Sequence, residues 1–330
     1  MKKTILIVSS FWCFLANAQS GYKVVNTYHI PSAGGWDYIA VNNGKIYVSH
    51  GTQVNILDET TGDSVGVIAN TNGVHGIAFN NELQRGYTSN GRSNNVTVFD
   101  LKTNKEIAQI PTGENPDAIM YEPHTKTIIT CNGRSKSLSL INPLTNNVAA
   151  TIDVGGKPET AASDGNGKLF VNIEDKNEIV EVDLTSHSVV NHWPLDGAEG
   201  PTGLAYDKDT KRLFAGCDNY LVVMNAENGK VVEKLPIGEG CDGVAFDSKN
   251  KIVYTSNGRS GNITVIKENG PDKYTVIGNY ATKRGARTIT INEKTGNLFL
   301  PTADFDMNNV QNGRPAIIPG TFQVLVVNQQ

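Results

Sequence analysis

The chain is short of cysteine. Four occur in 330 residues, and no two stand in a C-x-x-C or C-x-x-C-H arrangement. That excludes covalent c-type haem and a thioredoxin-like redox pair. An excess of positive charge is also missing, with 29 Lys and Arg against 33 Asp and Glu. Duplex nucleic acid therefore meets no overall basic surface. There is no G-x-S-x-G elbow and no phosphate loop ending in Gly-Lys-Ser/Thr, so nucleophilic hydrolysis and nucleotide chemistry find little support. No segment sustains a helical period.

What is present begins with a leader. Lys2 and Lys3 precede the apolar run "TILIVSSFWCFLA", and Ala16-Asn17-Ala18 has the small-x-small form of a cleavage site. Residues 1–18 read as a secretory signal peptide. The apolar run is too short for a spanning helix, and no other stretch approaches the required length. The expectation is an exported, periplasmic or secreted protein. Without Lys2 and Lys3 the balance is 27 basic to 33 acidic residues, or −6. Cys131, Cys217 and Cys241 remain. A Cys217–Cys241 bridge and free thiols both stay open, since sequence does not set connectivity.

The chain repeats itself. "SNGRS" stands at 89–93 and 256–260, with "CNGRS" at 131–135. Short apolar runs recur after loops, and the second residue of each run is Asp37, His75, Asp117, Glu159, Thr202, Asp242 and Arg287. Their spacings are 38, 42, 42, 43, 40 and 45. Four strand-like runs per unit at that period predict the blades of a propeller. The expected fold is all-β: seven blades of four antiparallel strands at about 36–73, 74–115, 116–157, 158–200, 201–240, 241–285 and 286–330. The last unit lacks an outer strand, and "YKVVNTYHIP" (22–31) is a spare one. Pairing the two closes the ring and removes exposed edges. The NGRS segments then become one loop in three blades, with glycine suited to a tight turn at φ > 0.

"YTSNGRSNNVTVFDLKTNKEI" (87–107), "YTSNGRSGNITVI" (254–266) and "IYVSHGTQVNILDETTGDSV" (46–65) resemble the repeats of the YVTN-family β-propellers. The resemblance spans essentially the whole mature chain, although Tyr87-Thr88-Ser89-Asn90 replaces the family word. It implies the fold and an envelope location more than an activity. A similar exported protein is associated with single-stranded DNA, against which the acidic balance weighs here. Related seven-bladed lactonases, and six-bladed ones with a central divalent cation, suggest by analogy a metal held by Asp37, Asp117, Glu159 and Asp242.

Three sets of residues are candidates for chemistry. The ring Asp37, His75, Asp117, Glu159, Asp242 and Arg287 should gather around the axis, either holding a ligand or a cation or forming a wet channel of mutually satisfied groups. A second ring aligns His50, Asn90, Asn132, Cys217 and Asn257, and His50 with His75 and Asp37 would make a transition-metal set. Arg92, Arg134 and Arg259 either clamp an anion or staple neighbouring blades, and repetition favours the staple. Trp36 is expected to pack into a neighbouring blade. The reading favours a non-catalytic binding or interaction module, with a small polar ligand or a protein partner on the NGRS face. A lactonase-like hydrolase is the alternative; single-stranded DNA binding or an electron-transfer subunit is weaker. No cofactor is named beyond a divalent cation in the channel.

Overall fold

The computed structural model describes residues 21–32, 34–311 and 313–330, so the leader at 1–18 lies outside the described residues. Seven four-stranded antiparallel sheets follow one another around a central channel. The only helical element among the described residues is the single 3-10 turn Glu174–Lys176. No described helix is long and apolar enough to cross a membrane.

The burial of each strand follows from its radial position. Second and third strands, such as Arg85–Asn90 and Asn95–Asp100, are buried almost throughout. A blade on each side covers both of their faces, so they are written as near-continuous Val, Ile, Tyr and Thr. Outer strands such as Glu106–Pro111 meet water and carry charge. The core lies between blades rather than at the centre. Phe170 and Trp193 of blade four pack with Leu204, Cys217 and Met224 of blade five.

The ring closes as the spare strand predicts. Tyr22–His29 pairs antiparallel with Gln323–Gln329 and supplies the outer strand of blade seven. Tyr28 donates its hydroxyl to the carbonyls of Glu59 and Thr60 in blade one, both at 3.0 Å. The Tyr22 hydroxyl meets that of Tyr254 in blade six at 2.9 Å. The first strand thus ties blade seven to both neighbours.

One element has no counterpart in the repeat. Between the second and third strands of blade seven, Phe305–Gln311 and Arg314–Ile317 form a separate two-stranded hairpin. It stands on the face of the NGRS loops. Its sequence is irregular beside the other blades, and the 42-residue period gave no sign of it.

Candidate functional site

The ring residues are aimed by a repeated β-bulge. In blades one to four, Trp36/Ile39, Val74/Ile77, Pro116/Ile119 and Pro158/Ala161 bracket a register shift, and blade six has one between Cys241 and Gly243. Asp37, His75, Asp117, Glu159 and Asp242 all sit within those shifts. A bulge adds a residue and re-aims a side chain, and here it turns one polar group in each of these five blades toward the channel.

The serine of the repeated motif pins the bulge. Ser89 accepts the Gly76 N–H at 2.8 Å and donates across the blade boundary to the carbonyl of Asp117. Ser256 donates in the same way to the carbonyl of Arg287. Cys131 replaces that serine in blade three and lines a small apolar cavity of about 130 Å³ with Tyr38, Ala118 and Thr160.

The asparagine of the motif is structural. Asn90 accepts from Thr88 Oγ1 at 2.9 Å and donates to Asn95 Oδ1 and Thr97 Oγ1, each at 2.8 Å. Asn132 and Asn257 repeat the arrangement with Thr130 and Thr255 as donors. All three are buried. The second predicted ring is therefore a set of staples inside the blades and offers no donor array to a ligand.

In blades two and six the glycine of the motif is needed for space, and in none of the three is it needed for a left-handed turn. Gly91, Gly133 and Gly258 do not have positive φ; Asn94, Lys136 and Gly261, three residues on, do. A Cβ on Gly91 would lie 2.6 Å from His75 Nε2, and one on Gly258 would lie 2.6 Å from Arg287 Cβ. In these two blades glycine clears the path for the ring side chain, whereas a Cβ on Gly133 would meet nothing nearer than Asn115 at 3.3 Å.

At the axis these side chains form a chain of charges. Arg287 donates to Asp242 Oδ2 at 2.7 Å and to Asp37 Oδ1 at 3.2 Å, and also to the Trp36 carbonyl at 2.8 Å. His75 Nδ1 is 2.6 Å from Asp37 Oδ2 and 3.7 Å from Asp117 Oδ1. Glu159 stands apart with Lys157, at 2.5 Å, and Lys157 also pairs with Glu174. Thr202 turns its hydroxyl to the Cys241 carbonyl at 2.9 Å.

Lys157 escaped the sequence reading, although a signal was present. It occupies the position two before the ring residue, where five of the seven blades have glycine. Gly238 to Gly243 also spells G-x-G-x-x-G, but it opens the strand Cys241–Asp247 and no helix, so it builds no dinucleotide cradle.

Burial and crowding shift the titrating groups. Burial pushes the Asp117 carboxyl up to about 7, with the His75 charge opposing and Asp37 adding to the rise. Burial and then the Asp117 charge push Glu159 up to about 9, against Lys157. Burial works against a charged His75, yet the hydrogen bond to Asp37 and the charge of Asp117 outweigh it and raise its pKa. Burial also raises Asp242 despite Arg287.

The metal set needs a correction. His50 is buried with both ring nitrogens engaged, Nδ1 with Ser32 Oγ at 2.8 Å and Nε2 with the Gly34 carbonyl at 3.1 Å. It stacks on Phe322 at 4.0 Å. Asp117 takes its place: among the described residues, Asp37, His75 and Asp117 bring ligand atoms within 4.8 Å of one another. These three residues could hold a divalent cation if His75 gave up its proton.

The arginines separate. Arg259 reaches Asp218 of blade five at 3.4 Å, an exposed pair. Arg92 and Arg134 are exposed and make no ion pair among the described residues. The uniform staple expected from repetition is absent among the described residues. The three cysteines are buried and free, so the Cys217–Cys241 bridge does not form. Trp36 packs as expected, stacked on Phe322 of blade seven at 5.5 Å.

A wide cleft opens beside the ring, under the hairpin of blade seven. It has a volume of about 1000 Å³ and is lined by Trp36, Arg259, Arg284, Arg287, Phe305 and Ile317, among others.

Comparison with solved structures gives the same architecture. The chain is similar to Kuenenia stuttgartiensis hydrazine synthase with a TM-score of 0.74 and 17% identity, over 86% of this chain and 96% of that one. It is similar to the WD40 repeats of RRP9 with a TM-score of 0.76 and 9% identity, over 94% and 97%. For U3-55K the TM-score is 0.75 at 9% identity, over 92% and 98%. At such identities the likeness shows the propeller fold alone. No protein-family model and no curated protein matches the sequence. The fold is consistent with a scaffold for binding or interaction.

Proposed function

We propose that the protein is an exported propeller of the YVTN-repeat kind that binds a ligand or partner on the NGRS face without transforming it. One observation carries the absence of catalysis. The charged groups at the channel mouth are spent on each other, from Asp242 through Arg287, Asp37 and His75 to Asp117. A preformed, internally neutralised mouth suits recognition, whereas hydrolysis needs an activated nucleophile or an open metal position. Export is supported by the charged n-region, apolar run and Ala16-Asn17-Ala18 of the leader.

The metal-dependent hydrolase is the second reading, favoured by the convergence of Asp37, His75 and Asp117. Lactone hydrolysis by the mature chain, with and without Ca²⁺, Zn²⁺ or Mn²⁺, separates the two. The binding reading expects no turnover in any condition. Metal-dependent turnover abolished by Asp117→Asn or Glu159→Gln would replace it with the enzymatic one.

A further inference from the structure

The inserted hairpin adds apolar side chains to a cleft at the channel mouth that arginines also line. Arg259, Arg284 and Arg287 line it, and among the described residues no carboxylate does. Arg287 is neutralised by Asp37 and Asp242, and Arg259 is half-committed to Asp218. Arg284 is exposed and makes no ion pair among the described residues. The rest of the lining is largely apolar. Phe305 packs on Trp36 with ring centroids 6.0 Å apart, and Pro315, Ala316 and Ile317 continue the wall. Ile317 is 37% exposed, on a hairpin that no other blade carries.

We propose that this cleft binds an aromatic carboxylate, with the carboxylate on Arg284 and Arg259 and the ring against Phe305 and Ile317. The inference rests on the binding reading above and deepens it by naming the ligand class. Guanidinium forks match a carboxylate in two-point hydrogen bonds. A cation without an ion-pair partner in a cleft with apolar lining selects a ligand that has both an anionic end and an apolar body. The volume suits a small organic molecule. Either element alone would leave half the cleft unmatched, since an inorganic anion does not cover the wall and a neutral arene does not meet the arginines.

Calorimetric titration of the mature full chain with 1-naphthoate, 1-naphthamide and inorganic phosphate tests this. Naphthoate is expected to bind at least tenfold more tightly than either of the others. Arg284→Gln should weaken naphthoate at least tenfold, and Ile317→Ser several-fold. Both residues are exposed, so the variants keep the fold, which circular dichroism checks. No naphthoate binding, equal affinity for the amide, or indifference to both substitutions would overturn the proposal. Those outcomes leave the binding reading standing, since only turnover removes it.

Discussion

Arg287, the ring residue of blade seven, holds Asp37, its counterpart in blade one, at 3.2 Å across 250 positions of sequence. The contact lies at the axis where the circle of blades meets itself. Thr288 adds a hydrogen bond to the Asp37 carbonyl at 2.6 Å. Ring closure therefore has an inner latch of charge as well as the outer strand. Arg287→Met should lower the free energy of unfolding by about 2 kcal/mol, less than for a fully buried pair because water reaches part of the side chain. Urea denaturation measures the loss. Adding Asp242→Asn should recover part of it, because Asp242 has no other ion-pair partner among the described residues whereas Asp37 keeps His75, and an unchanged midpoint in Arg287→Met would contradict the latch.

The outer closure is tested by removing residues 21–31. This strips the partner of Gln323–Gln329 and the anchors Tyr22, Tyr28 and Ile30. An exposed strand edge and an uncovered apolar face invite aggregation. The truncated chain should lose its cooperative thermal transition or fail to remain soluble; a sharp, monomeric melt at the parental temperature would show that closure does not depend on this strand.

Within one motif, Asn90 and Arg92 should behave in opposite ways. Asn90→Ala removes three hydrogen bonds from a buried site and is expected to cost about 2–3 kcal/mol. Arg92→Ala at the exposed end of the loop should stay within about 0.5 kcal/mol. Equal effects in chemical denaturation would refute the division between staple and surface.

Stability should fall as pH rises, through the buried carboxyls of the ring. Glu159 ionises near 4.5 when unfolded and is pushed up to about 9 by burial and Asp117 in the fold. Between those values the folded state binds a proton that the unfolded state has lost, so its contribution shrinks with increasing pH. Asp117 acts likewise between 3.8 and about 7. His75, with its pKa raised, also contributes stability at low pH that fades as pH passes its folded value. Melting curves at pH 5 and pH 8 should show a smaller difference in Glu159→Gln than in the parent chain. An identical difference would remove Glu159 from this account.

Cys131 occupies the position where Ser89 and Ser256 bridge blades. Cys131→Ser supplies the same hydroxyl in the same bulge frame. The expected cost is below about 1 kcal/mol, because a hydrogen bond to the next blade offsets the loss of apolar contact. Ser89→Ala leaves the Gly76 N–H without its acceptor and should cost about 1–3 kcal/mol. A Cys131→Ser penalty as large as that of Ser89→Ala would show that the bulge of blade three differs from the others.

The repeat was legible because each blade satisfies the same local demands. The spacing of Asp37, His75, Asp117 and the rest marks one position in every unit, and the structure gathers those side chains at the channel mouth. The roles of the motif residues were less legible. Asn90, Gly91, Ser89 and Arg92 are adjacent in sequence, yet they face the blade interior, His75, the next blade and solvent respectively. Strand alternation and the bulge send neighbours in different directions, and only the packed neighbours decide what each one meets.

What the sequence determined by itself is the seven-fold periodicity, the spare first strand and the polar position that each blade turns inward. These follow from local strand propensity, turn residues and the need to leave no edge unpaired. The tertiary structure alone decided which charges pair, that His50 is sealed against Ser32 and Phe322 while Asp117 joins His75, and that Phe305 and Ile317 of the inserted hairpin line one cleft with the arginines. Pairing and enclosure are set by distances of a few ångströms between groups tens to hundreds of residues apart. Such distances come from the radius of the closed ring and the tilt of its blades, which no local pattern encodes.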